Sequence, residues 1–188
     1  MKHTLGFLFL INFLILAQDF NIGFGLQASL YKKYDLIKSE GITNIVPYPP
    51  EIHLSFEYLP LEILGIEFRF GQMFEADRNG ISGIECGALV KYYIKPSFYA
   101  IGIYTAHLNG SFGGGGHSGP KAVTFGMPGL GVGYIPVEHI CLELTYLDPK
   151  DVIIREDYYY YIIEDYSPYN QIQLNWLIRM NIGFYFSL

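Results

Sequence analysis

The sequence predicts an all-β protein, an eight-stranded antiparallel up-and-down transmembrane β-barrel. Three observations carry this expectation. The last seventeen residues alternate between oily and polar side chains, the first seventeen have the form of an export signal, and prolines divide the intervening chain into short and long connections.

From Ile172 onward, Ile172, Leu174, Trp176, Ile178, Met180, Ile182, Phe184, Phe186 and Leu188 fall on one face. Gln173, Asn175, Arg179, Asn181, Gly183, Tyr185 and Ser187 fall on the other, with Leu177 as its apolar exception. A period of two belongs to a strand. Strands in soluble domains run to about five or six residues, whereas a tilted membrane strand needs roughly nine to eleven. Trp176 and Phe186 are spaced to mark two aromatic girdles about 25 Å apart on such a strand.

At the other end, Lys2 and His3 precede an uncharged run, Leu5 to Leu16, and then Ala17. As a helix that run would rise only about 18 Å, short of a hydrocarbon core of roughly 30 Å. Residues 1–17 are therefore expected to be a cleaved signal peptide and residues 18–188 the barrel. Loss of Lys2 leaves 11 basic and 18 acidic residues, a net charge of −7, which argues against nucleic acid as a partner. Mean hydropathy is slightly positive although no apolar run reaches eighteen residues, because oily and polar residues are interleaved.

Pro60, Pro96 and Pro136 mark short connections, and Pro47, Pro49, Pro50, Pro120, Pro149 and Pro168 mark longer ones. Pro128 falls inside a strand and predicts a bulge there. The strands are expected near 20–31, 51–59, 64–74, 83–94, 98–107, 123–135, 139–147 and 170–188. Three tight turns then share one rim with both termini, and loops near 32–50, 75–82, 108–122 and 148–169 share the other. Tyr58-Leu-Pro-Leu-Glu-Ile-Leu-Gly-Ile-Glu-Phe68 also matches Tyr134-Ile-Pro-Val-Glu-His-Ile-Cys-Leu-Glu-Leu144, a weak repeat that places the first and third turns in equivalent positions.

Size decides which face looks inward. Eight strands enclose a space only just wide enough for side chains, so the bulky set (Ile22, Phe24, Leu26, Ile66, Phe68, Phe70, Leu130, Val132, Tyr134, Leu142, Leu144, Tyr146) belongs to the lipid face. The small set (Gly23, Gly25, Ser29, Gly65, Gly71, Gly87, Gly102, Gly129, Gly131, Gly133) belongs to the lumen, the reverse of a lipocalin-like barrel. Cys141 is placed inward and Cys86 outward, which precludes a disulfide.

The chain resembles the small eight-stranded outer-membrane barrels, such as the OmpA transmembrane domain and OmpX, and is most similar to the outer membrane protein β-barrel domain family of Bacteroidota. The resemblance rests on the signal, the short proline turns, Tyr-Tyr-Ile-Lys-Pro at 92–96, Gly-Leu-Gly-Val-Gly-Tyr at 129–134 and the final Gly-Phe-Tyr-Phe-Ser-Leu. It implies residence in the outer membrane, contact with outer-membrane lipid, and assembly by machinery that reads a terminal aromatic signal. Here Phe184, Phe186 and Leu188 stand in that position.

Glu57, Glu67, Arg69, Glu85, Lys91, Glu143 and Arg179 all fall on polar faces. Buried ions cost several kcal/mol each unless paired, so a cross-strand lumen network is expected, in which Glu143 pairs with Arg179 on the neighbouring strand or else with Arg69 or Lys91. In so narrow a lumen such a network plugs the barrel, and a closed barrel is expected over an open channel. A tyrosine-rich acidic stretch, Tyr158, Tyr159, Tyr160, Tyr161 and Tyr166 with Glu156, Asp157, Glu164 and Asp165, is either the candidate recognition loop for an extracellular ligand or surface partner or an extension of strands seven and eight above the membrane, with its rings packed on each other.

Catalytic patterns are weak. His117-Ser118 lies in a glycine-rich loop and lacks the His-x-Ser-Asn pattern of lipid A deacylases. The run Gly113 to Gly116 lacks the Lys-Ser/Thr of a phosphate loop, and Asp148, Asp151, Glu156 and Asp157 lack the spacing of a calcium loop. No enzyme activity, cofactor or metal is expected. The expected role is structural or surface-recognition, with a narrow solute channel as the alternative and a lipid-modifying enzyme further behind.

Overall fold

The computed structural model describes residues 19–74, 82–109, 123–158 and 168–188. The expected signal peptide, His117-Ser118, the Gly113 to Gly116 run and Tyr159, Tyr160, Tyr161 and Tyr166 lie outside them.

The strands are β1 (Asp19–Asp35), β2 (Glu40–Leu61), β3 (Leu64–Met73), β4 (Gly83–Lys95), β5 (Phe98–Asn109), β6 (Val123–Val137), β7 (Ile140–Leu147), β8 (Val152–Tyr158) and β9 (Pro168–Ser187). Each pairs antiparallel with its neighbour from β1 to β7, β7 pairs with β9, and β9 returns to β1, closing the barrel. Eight strands form the barrel wall, and β8 pairs with the upper part of β9 as a continuation of β7.

Closure sorts the side chains by size and polarity. The outer surface carries an apolar belt drawn from every barrel strand, including Phe24, Leu54, Phe68, Val90, Tyr104, Leu130, Leu144 and Ile182, each more than a third exposed. Inside, small residues admit large ones. The place a Cβ would take on Gly133 is filled by the Tyr99 ring, and that on Gly25 by the His53 ring. Cys86 is exposed on the outer face beside Phe70, Cys141 is buried, and both are free.

Several boundaries and phases differ from the sequence reading. Residues 32–50 are not a loop: β1 and β2 continue as a paired hairpin to a turn at 36–39, with Tyr34 opposite Gly41 and Asp35 opposite Glu40. Pro47, Pro49 and Pro50 lie within β2, where the register slips between Val46 and Glu51, so that no ladder hydrogen bond is asked of them. The fourth loop is likewise shortened, because residues 152–158 form β8 on β9.

The phase of the last strand also breaks. Lys32 pairs with Trp176 and Lys33 with Leu174, leaving Asn175 as a bulge. Beyond it Ile172 and Leu174 point inward and are buried with Leu177, which explains the one apolar residue on the polar face. The bulge lies level with the break at 148–151 between β7 and β8, where Lys150 and Asp151 have φ of 55° and 56°. The Asn175 amide donates to Asp151 Oδ1 at 2.5 Å and the Gln173 amide to the Asp151 carbonyl at 2.8 Å, tying the two irregularities together.

Pro128 forms no bulge, since it stays in register opposite Tyr104. The ladder between β6 and β7 begins at Gly129 opposite Leu147, so Pro128 sits where β7 ends and its missing N–H leaves no partner unsatisfied. Its carbonyl accepts from Asp148 N at 2.8 Å. Gly102 faces outward, opposite Val90, and β5 instead turns Tyr99, Ile101, Thr105 and His107 inward.

Candidate functional site: the filled lumen

The lumen is organised in layers along the barrel axis. Nearest the short-turn rim, Lys91 Nζ meets Glu67 Oε2 at 2.5 Å and Glu57 Oε1 at 3.1 Å. Arg69 joins Glu67 and Glu143, each at 2.6 Å. Tyrosines complete the layer: Tyr93 donates to Glu57 at 2.9 Å, Tyr99 to Glu143 at 2.8 Å and Tyr185 to Glu67 at 3.2 Å. Asn181 adds a donor to Glu143 at 2.8 Å. Every carboxylate therefore has both a cation and a neutral donor, the condition under which buried ions are tolerated.

The next layer is built on Arg179. Its Nη2 lies 2.5 Å from Glu85 Oε1 and 3.6 Å from Glu51 Oε2. His107 Nδ1 is 2.6 Å from the same Glu85 oxygen, and Gln27 bridges Glu51 and His53 at 3.1 and 3.0 Å. Above it the lumen is mainly apolar: Tyr31, Met73, Phe125, Met127, Leu147, Ile154, Ile172, Leu174 and Leu177 form one buried cluster, with Lys33 buried 5.3 Å from the Tyr31 ring centroid and Asn109 donating to Ile154 O at 2.8 Å. A smaller one, Leu89, Tyr99 and Ile101, lies on the β4–β5 side. Most of the lumen's charge thus lies below its main apolar cluster, with Lys33 the exception inside it.

Glu57, Glu67, Arg69, Glu85, Lys91, Glu143 and Arg179 all stand in this lumen, divided between two layers. Of the partners expected for Glu143, Arg179 is not the one it meets, and Arg69 is. Register sets Glu143 opposite Asn181 and Arg179 opposite Thr145, so Glu143 turns across the lumen to Arg69 and Arg179 turns to Glu85. Sequence reasoning missed Glu51, His53 and His107. Glu51 and His53 share the parity of Ser55 and Glu57, so extending that alternation two steps would have found them. His107 was hidden by the wrong phase assigned to β5.

Trp176 is half-buried, pairs with Lys32 and lies outward of Leu177. Phe186 is exposed near the other rim and stacks on His139, their ring centroids 6.4 Å apart. Phe184 stacks on Phe24 at 4.9 Å, and the terminal Leu188 N–H donates to Phe20 O at 3.0 Å across the closing seam.

The barrel is similar to the crystal structure of Neisserial surface protein A, with a TM-score of 0.50 and 14% identity over 88% of this chain and 95% of that one. The fold is that of the small outer-membrane barrels. OprG from Pseudomonas aeruginosa gives a TM-score of 0.49 at 14% identity, over 90% of this chain and 97% of that one. No protein-family model and no curated protein matches the sequence. The lumen of this outer-membrane-type barrel stacks two ion-pair layers under a mainly apolar cluster.

Proposed function

We propose that the protein is an integral outer-membrane barrel with a closed interior, serving a structural or surface-recognition role. The filled lumen carries the reading: two buried ion-pair layers and an apolar cap follow one another along the axis, and a hydrated ion would have to displace all three. The location is supported by the apolar belt, whose natural solvent is lipid. The short turns and both chain ends then face the periplasm, and the long connections face outward. Outer-membrane lipid on the belt, and an assembly machinery reading Phe184, Phe186 and Leu188, are the partners this reading requires.

A recognition role is favoured by the β1–β2 hairpin, which continues past the belt. Its tip offers Leu36 and Ile37, 36% and 46% exposed, beside Lys38 and Glu40. Tyr158 and the tyrosines that follow it are proposed to join that surface. Planar-bilayer recording of the refolded protein tests the reading: conductance near zero is expected, and steady stepwise conductance would replace it with a narrow solute channel. A glycan, lipid and protein binding screen comparing the intact chain with one lacking residues 150–166 tests recognition.

A further inference from the structure

At the short-turn rim the barrel opens into a cavity of about 630 Å³, lined by residues of all three tight turns and by both ends of the wall. Its floor is the lower ion-pair layer. Such a volume suits a small ligand, and the chemistry of the lining narrows the class.

The floor is already an ammonium site. Lys91 Nζ lies 4.7 Å from the ring centroid of Tyr185 and 5.0 Å from that of Tyr99, within the range of cation–π attraction. Three carboxylates, Glu57, Glu67 and Glu143, stand around it, and each takes a hydrogen bond from one of the three tyrosines. These three acids face two cations, Lys91 and Arg69, so the layer retains one negative charge. At the rim the lining adds Glu62 and Glu138 against Lys95, with Glu138 3.6 Å from His139 Nε2, so these side chains do not cancel the imbalance when His139 is neutral. Tyr93 and Tyr185 are only partly buried and line the cavity, whose upper wall is aliphatic, with Leu59, Ile63 and Ile135.

We propose that this periplasm-facing cavity binds a small organic ammonium compound. Its charged end lies over the tyrosine-walled, acid-rich floor and its hydrocarbon part lies against the aliphatic upper wall. The site is a dead end beneath the plug. It does not depend on the barrel being closed, because equilibrium binding needs no passage through the wall.

The test uses full-length protein refolded in lipid nanodiscs, followed by amide NMR shifts of Tyr93, Ile135 and Tyr185. The probes are phenethylammonium, the equally sized anion phenylpropionate, and neutral phenylethanol. Phenethylammonium should shift these amides saturably, and the anion should not. Glu57→Gln, which removes the excess floor charge, should weaken binding about tenfold. Asn21→Lys is the second variant, placed at the partly exposed residue whose amide donates to Glu57 Oε2 at 3.1 Å. It adds a competing cation without emptying the floor and should abolish the saturable shift. Equal binding of cation and anion, absence of saturation, or indifference to Asn21→Lys in a folded variant would overturn the proposal. Conductance recorded on the same preparation reports separately on the plug.

Discussion

Arg69, Glu67 and Glu143 show how a buried charge is tolerated at the scale of single residues. Arg69 is 8% exposed and reaches both carboxylates at 2.6 Å, so its removal leaves two anions short of a partner. Arg69→Met should destabilise the refolded barrel by about 3–5 kcal/mol in urea titrations, and Arg69→Met with Glu143→Leu should cost much less than the sum. The same cycle on Arg179 and Glu143 should be additive within about 0.5 kcal/mol, because neither group bonds the other. Coupling in the second pair and additivity in the first would reverse the layer assignment. Asp35, beyond the belt at the hairpin tip, makes a different use of charge: its Oδ1 accepts from Ile37 N and Lys38 N, each at 3.0 Å. The Lys38 N–H is the main cause that holds this carboxyl below its ordinary value. A lowered carboxyl stabilises the tip above the unfolded carboxyl pKa, and that contribution is lost as pH falls through the folded one. Amide exchange at Ile37 and Lys38, corrected for intrinsic rates, should therefore lose protection on acidification below about pH 4 and keep it at neutral pH.

For the elements, the last strand is the instructive case. Its period of two reads as one uninterrupted stripe, yet Asn175 shifts the phase so that the upper third buries Ile172 and Leu174 while the lower two thirds bury Arg179 and Asn181. Leu177, fully buried in the apolar cap, should cost about 2–5 kcal/mol when changed to Ala. Its neighbour Ile178 faces outward near mid-height, where Arg should cost about 2–4 kcal/mol in a bilayer against about 0–1 at Phe186 by the rim. Vesicle-based unfolding of the three variants checks this, and equal costs at Ile178 and Phe186 would argue for a water-facing outer surface. The alternation itself, the places of the three tight turns and the strand order were legible, because each depends on near neighbours in the chain, although Pro60 and Pro136 stand in the last residues of β2 and β6 and only Pro96 in a turn. The bulge was not, because its cause lies in another segment, the break at 148–151, to which Asn175 and Gln173 are bonded.

On the scale of the whole molecule, closure gives the wall two solvents, and topology follows from which rim holds the long connections. A cysteine introduced at Lys38, on the protruding tip, should react in intact cells with a membrane-impermeant maleimide in a Cys86→Ser background. One introduced at Ser97, in a short turn, should react only after the membrane is opened. The opposite pattern would invert the barrel. Closure also explains why the lumen was only partly legible. That seven charges face inward could be read from parity, strand by strand, but Glu143 and Arg69 are separated by 74 positions in the chain and meet only across the interior.

By itself the sequence determined the all-β class, the number and order of the barrel strands, the oily outer face and the charged inner one. All of these are carried by side-chain period, residue size and turn chemistry, which act locally. The tertiary structure alone decided which charges pair, how far each strand rises above the belt, and the stacking of two ionic layers beneath an apolar cap. Those outcomes depend on register around a closed ring. A single bulge in one strand changes the side on which every later residue stands, and its partners are then chosen by distance across the lumen.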